Sequence, residues 1–309
     1  MTPATAWDAD ALRAALVVPA GPWTRLDVVD RVGSTNAELL AAAAQGAPDR
    51  SVLVAECQEA GRGRLGRDWV TLPGAGIAVS VLLRPDPVSP DRFGWLPLLA
   101  GLAVHEAVSA LLPVVTCLKW PNDLLVGEEQ RKAGGILAEA TTGPDGTAVV
   151  LGIGLNVTGA PDDLPSGATS LAAEAKGWRA SQRASASEER SRTGSRPLDA
   201  ESGVELDRTA LLVAVLTRLG EREAAWRAAA GDPDVDRLRA DYRAVCGSLG
   251  AEVRVELPGG MTVRGMAEDV DRDGQLLLLA ADGHRRAIAA GDVVHVRPVD
   301  RRDPTPVHD

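Results

Sequence analysis

Six residues constrain this chain more than any others. Gly61-Arg62-Gly63-Arg64-Leu65-Gly66 follows the apolar run Ser51 to Cys57, a buried strand, and shows the GxGxxG spacing of a dinucleotide-binding turn. Such a turn must open a helix. Residues 68–76 contain Pro73, Gly74 and Gly76, which breaks any helix there. Asp86 stands where a ribose-binding acid is expected, but it lies between Pro85 and Pro87 rather than at a strand end. The same loop has P-loop spacing, yet Arg67-Asp68 replaces the required lysine and hydroxyl. Both common nucleotide folds are therefore excluded.

The loop still carries specific chemistry. Arg62, Arg64 and Arg67 alternate with glycines, so like charges repel along a mobile backbone. A polyanion relieves that repulsion and orders the loop through arginine forks and backbone N–H groups.

Of the 33 basic residues only Lys119, Lys132 and Lys176 are lysine, and Asn36, Asn122 and Asn156 are the only asparagines. All three asparagines and two of the lysines fall in short polar, glycine-bearing segments beside apolar runs. Arginine does not replace a compact ammonium, nor aspartate an amide that both donates and accepts. These survivors mark positions that need their chemistry.

At 309 residues and 45% hydrophobic, the chain is long enough for one large or two ordinary domains. Its net charge of −10 argues against a nucleic-acid partner. Three scattered cysteines give no disulfide framework, and four histidines show no zinc spacing, so no metal cluster is expected. Asp8 and Asp10 before Ala11–Val18 do not fit a secretory signal. The apolar run from Phe93 to Leu112, broken by Pro97, His105 and Glu106, reads as a buried helix rather than a membrane span. The expected location is the cytoplasm.

Thr35 and Glu38 form a capping box for a helix to about Gln45. Strands are expected at Gly76–Leu83, Thr116–Trp120, Gly135–Ala140 and Thr147–Asn156, and helices at Asp91–Leu112, Asp207–Ala230 and Pro233–Val245. Pro121-Asn122-Asp123 reads as a turn. From Ser248, short alternating runs at 253–257, 276–279 and 293–296, separated by glycine turns, read as a small antiparallel barrel. The divisions are an N-terminal segment at 1–25, a main domain at 26–247 with a disordered insertion at 179–205, a β-domain at 248–298 and a tail at 299–309.

Six segments now stand in order: Gly33-Ser34-Thr35-Asn36; Gln58 to Arg64, continuing to Arg67 and Trp69; Lys119-Trp120-Pro121-Asn122-Asp123; Lys132-Ala133-Gly134-Gly135-Ile136-Leu137; Gly152-Ile153-Gly154-Leu155-Asn156; and Thr169-Ser170-Leu171. In this order and spacing the chain resembles the bacterial biotin–protein ligases, from about Gly33 to Arg297 outside the insertion. The resemblance implies an α/β (α+β) catalytic domain of the biotin/lipoate ligase type, with a mixed sheet, flanking helices and a C-terminal SH3-like barrel.

It also implies a reaction: biotin and ATP give biotinyl-AMP, and biotin then passes to a lysine of a biotin carboxyl carrier domain, the expected partner. By resemblance, Ser34, Thr35, Asn36, Gln58, Gly61, Arg62, Gly63, Arg64 and Lys132 belong to the biotin site. Arg62, Arg64, Arg67, Trp69, Lys119, Asn122 and Asn156 belong to the ATP site. Lys132 and Arg64 bear on the carboxylate and α-phosphate, and Asp123 lies near the incoming lysine or the Mg²⁺ that accompanies ATP. Trp69 and Trp120 either wall the ligand or are core. Some relatives carry an N-terminal winged helix; only about 32 residues precede the first motif, so no repressor activity is expected. Leu65 and Asp68 depart from positions often basic in relatives. A monomer or homodimer is expected. The alternatives are a lipoate–protein ligase, on a related fold, and a non-catalytic biotin or adenylate sensor.

Overall fold

The computed structural model describes residues 7–69, 71, 73–143, 145–193 and 206–295. Its seven-stranded sheet is built from β1 (Arg25–Val32), β2 (Ser51–Gln58), β3 (Gly76–Leu83), β4 (Thr116–Lys119), β5 (Asp123–Val126), β6 (Arg131–Gly143) and β7 (Gly146–Asn156), in the order β1-β2-β3-β7-β6-β5-β4. Only β1 and β2 run parallel; every other neighbour is antiparallel, so the sheet is mixed.

Helices cover both faces. On one face lies α2 (Thr35–Ala44), whose Leu39 and Ala43 pack on Leu53, Leu82 and Val150. The other face carries α3 (Trp95–Leu111) and α5 (Arg208–Ala228), with α1 (Ala9–Leu16) and α6 (Leu238–Val245) joined to the same core. α3 is buried along most of its length, which explains an apolar run long enough to cross a membrane.

Several expectations shift. Ser34, not Thr35, caps α2, its hydroxyl accepting from Ala37 N–H; the Thr35 hydroxyl is turned towards the sheet instead. The first 25 residues contain α1, capped by Asp8, with Leu12 and Leu16 fully buried. Helix α4 (Leu171–Thr193) runs fifteen residues into the segment expected to be disordered, because Ala, Arg, Glu and Gln favour helix even without apolar neighbours. Residues 194–205 and 296–309, the rest of the insertion, the last three residues of the expected β-domain and the tail, lie outside the described residues.

The C-terminal sheet consists of β8 (Glu252–Glu256), β9 (Thr262–Val270), β10 (Leu276–Ala280), β11 (Arg285–Ile288) and β12 (Asp292–His295), all antiparallel, in the order β11-β10-β9-β8-β12. This is the arrangement of an SH3-like barrel. Two tryptophans, the first residue of α3 and the residue after β4, fasten it to the main domain. Trp95 Nε1–H donates to the Arg272 carbonyl at 3.0 Å, and Trp120 Nε1–H to that of Gly274 at 3.2 Å. Gly94 completes the fit, since a Cβ there would stand 2.2 Å from the Asp273 carbonyl oxygen.

Candidate functional site

A cavity of about 350 Å³ opens on the α2 face of the main sheet. The N-terminus of α2, the loop 62–69, the β4–β5 hairpin, β6, β7, residues 165–168 and the start of β12 line it.

Its floor is made by alternation. In register, Gly152 lies between Ser80 and Leu137, and Gly154 between Ala78 and Gly135, so these residues share a face. Both glycines are required by what lies over them. A Cβ on Gly152 would come 2.3 Å from Asn36 Oδ1, and one on Gly154 would come 2.3 Å from the Trp69 ring. The Gly-Ile-Gly pattern thus admits an amide at one end and an indole at the other.

The Asn36 end presents uncharged hydroxyls and amides to the cavity, with the Glu139 carboxylate behind Asn36. Thr35 N–H donates to Gln58 Oε1 at 2.9 Å, and Thr35 Oγ1 stands 3.0 Å from the same oxygen. Ser80 Oγ, fully buried, lies 2.7 Å from Thr35 Oγ1 and 2.6 Å from Asn36 Oδ1. Asn36 Nδ2 donates to Leu137 O at 3.2 Å and to Glu139 Oε2 at 2.8 Å. Asn36 therefore lines the cavity with an amide committed to the protein. Ser34 lines it as the cap of α2.

The other end is cationic and centres on Asp123, the first residue of β5. Lys132 Nζ contacts Asp123 Oδ1 at 2.6 Å and Lys119 Nζ contacts Oδ2 at 2.9 Å. Burial pushes the Asp123 carboxyl up; the two ammonium groups, Lys132 foremost, more than offset this and hold it below its ordinary value. Lys132 reaches this face through an irregularity. Leu124 pairs with Gly134 and Leu125 with Lys132, so β6 carries one extra residue, Ala133. Lys132 precedes Gly135 by three positions, and an unbroken strand would turn the two to opposite faces.

Arg62 lines the cavity with no hydrogen bond or ion pair from its side chain among the described residues. The Gly63 N–H donates to Arg67 O at 2.6 Å and closes the loop on itself. Arg64 and Arg67 line the cavity but turn their guanidinium groups to the C-terminal sheet. Arg64 donates to Gly291 O at 3.1 Å, and Arg67 pairs with Asp292 at 2.8 Å. Gly61 is not on the wall: it lies beneath the Trp69 carbonyl, where a Cβ would come within 2.5 Å. Trp69 packs over the floor, with Lys132 Nζ 5.8 Å from a ring centroid. Asn122 braces the hairpin by donating to Ile136 O at 2.9 Å, and Asn156 donates to Thr169 O at 3.1 Å. For Trp120 the two alternatives are not exclusive: it lines the cavity and lies 1% exposed in the core.

Sequence reasoning missed Ser80, Glu139, Asp292 and residues 165–168. Ser80 and Glu139 sit inside runs that read as plain strand, and Asp292 belongs to a segment remote in sequence. The one available signal was strand alternation, which sets Ser80 opposite Gly152.

A mixed sheet with a small β-barrel and a cavity neutral at one end and cationic at the other defines the class of biotin and lipoate ligases. Residues 28–156 match the biotin/lipoate A/B protein ligase family, and residues 248–296 match the biotin protein ligase C-terminal domain. The chain belongs to the biotin protein ligase family. It is 42% identical over 294 residues to the biotin–[acetyl-CoA-carboxylase] ligase of Mycobacterium tuberculosis, covering 94% of this chain and 96% of that protein. It is 28% identical over 265 residues to the bifunctional ligase/repressor BirA of Bacillus subtilis, covering 85% and 71%. In three dimensions it is similar to the Aquifex aeolicus biotin protein ligase solved with biotin and ATP, with TM-score 0.62, 26% identity and coverage of 89% of this chain and 100% of that one.

Proposed function

We propose that this chain is a biotin–protein ligase that couples biotin to ATP and then to a carrier lysine. One observation supports the reading above others: a single cavity joins a neutral amide-and-hydroxyl cluster to a cluster of lysines and arginines. Biotin needs that polarity, with a ureido ring at one end and a carboxylate at the other.

In the first step the biotin carboxylate oxygen attacks the α-phosphorus of ATP, and pyrophosphate leaves with the electrons of the broken P–O bond. Lys132, in the cationic cluster, bears on both anionic oxygens, while Arg62 and Arg64 neutralise charge on the phosphates. Trp69 and Asn156 contact the nucleotide side. In the second step the carrier's amine attacks the mixed-anhydride carbonyl and AMP leaves. Asp123, with an ammonium on each oxygen, holds Lys132 and Lys119 in place rather than taking up a proton.

No group of three His, Cys, Asp or Glu side chains gathers among the described residues, and the oxygens of Asp123 are taken. Mg²⁺ is proposed to enter with ATP, as the counter-ion of its phosphates.

The test is direct. The protein, Mg-ATP and a biotin carboxyl carrier domain are mixed with either biotin or lipoate, and intact carrier mass is read. A biotin-sized gain in the biotin tube alone is expected. A lipoate-sized gain overturns the specificity, and bound adenylate without transfer supports a sensor.

A further inference from the structure

Glu174 lies in the first turn of α4 and does not line the cavity, yet one of its oxygens holds two residues beside it. Glu174 Oε1 accepts from Arg131 Nη2 at 2.6 Å and from the Thr169 hydroxyl at 2.8 Å. The fold makes room for this carboxylate: Gly127 has a φ of +77°, and a Cβ there would collide with Glu174 Oε2. Arg131 immediately precedes Lys132, and Thr169 immediately follows the segment 165–168 that walls the cavity.

These two partners meet at Lys132. The pairing of β6 with β7 reaches no further than Gly134 with Leu155. Beyond it, residues 167–169 take the place of β7: Lys132 N–H donates to the Gly167 carbonyl at 3.2 Å, and the Lys132 carbonyl accepts from Thr169 N–H at 2.9 Å. Arg131, Lys132, Thr169 and the Glu174 oxygen thus close a ring. Asn156 Nδ2 donates to the Thr169 carbonyl at 3.1 Å, so the same ring holds Asn156. Thr169 is fully buried, and without Glu174 its hydroxyl loses its acceptor and must move to find another.

We infer that Glu174 is a positioning residue for adenylate formation: by tying Thr169 to Arg131 with one oxygen, it sets the segment 165–169 along Lys132 and places Lys132 and Asn156 together for the nucleotide. This rests on the ligase reading and adds to it a residue that touches neither substrate. Glu174→Ala opens the ring. Glu174→Gln keeps it closed, because one amide oxygen has two lone pairs and receives both donors.

The experiment is biotin-dependent exchange of pyrophosphate into ATP by the full chain, well below the melting temperature of every variant, with kcat and the KM for ATP measured separately. Glu174→Ala is expected to lower kcat and raise the KM for ATP, so that kcat/KM falls at least about tenfold, the loss that one buried charge-assisted hydrogen bond carries. Glu174→Gln is expected to stay within about threefold of wild type. Thr169→Val opens the same ring by removing the hydroxyl while keeping the shape, and adding Glu174→Ala to it is expected to cost less than about threefold more. Wild-type kinetics in Glu174→Ala, which a residue that only stabilises α4 would give, overturn the inference. So does a loss in Glu174→Gln equal to that in Glu174→Ala, or a double variant whose losses simply add. A wild-type chain that exchanges no pyrophosphate overturns the functional reading and this inference with it.

Discussion

Arg67 and Asp292 are ion-paired at 2.8 Å although 225 positions separate them in sequence. Arg64 turns to the same carboxylate at 3.4 Å and to the neighbouring Gly291 carbonyl. The glycine-arginine loop is thus anchored by the first residue of β12.

Neutralising that anchor should loosen the loop. In Asp292→Asn, trypsin should cut after Arg62, Arg64 or Arg67 about tenfold faster in ligand-free protein, as expected from losing partly buried charge-assisted hydrogen bonds. Fragment masses over a time course give the rate; cleavage at the wild-type rate removes Asp292 from this role.

Lys132→Ala and Arg64→Ala should each lower biotin-dependent exchange of pyrophosphate into ATP by about a hundredfold or more, the usual cost of removing one preorganised charge-stabilising group. Circular dichroism should show an intact fold. Near wild-type exchange in either variant would discard its assignment.

Asp123 links the site to acid stability. Its folded-state pKa lies below the ordinary value, so its contribution is complete above the unfolded pKa near 3.9 and is lost as pH falls through the folded one. Urea denaturation should therefore give a stability gap between wild type and Asp123→Asn that is constant from about pH 5 to 8 and shrinks below about pH 4. A gap that widens in acid contradicts the sign of the shift.

The floor glycines should separate the two ends of the cavity. Gly152→Ala displaces Asn36 and should weaken biotin binding at least about tenfold; Gly154→Ala displaces Trp69 and should act mainly on the KM for ATP. Equal effects of both variants on both ligands would show that the ends are not independent.

Much of this could be read in the residues. Gly76–Leu83 is strand at both its expected ends, and the three asparagines and two lysines picked out by scarcity all line one cavity. Local pattern did not yield what depends on distant contact. β5 is four residues long and was hidden behind Pro121-Asn122-Asp123, whose turn chemistry is genuine but ends one residue earlier. Thr35 looked like a cap because sequence does not say which of two adjacent hydroxyls faces the backbone. The sequence points Arg64 and Arg67 towards bound anions, the biotin carboxylate and the phosphates, since nothing near them in the chain foretells Asp292.

The extra residue in β6 carries a last consequence. Because side chains alternate, what directs Lys132 to Asp123 is whether the count of residues between Lys132 and the Asp123–Gly135 pair is odd or even. Losing the bulge while Ala133 stays in the strand removes no functional group yet would turn the ammonium through the sheet to the wrong side, whereas deleting Ala133 together with the bulge would leave Lys132 two positions from Gly135 and on the same face. What this strand inherits is the match between residue count and bulge: arithmetic parity, as much as chemical identity.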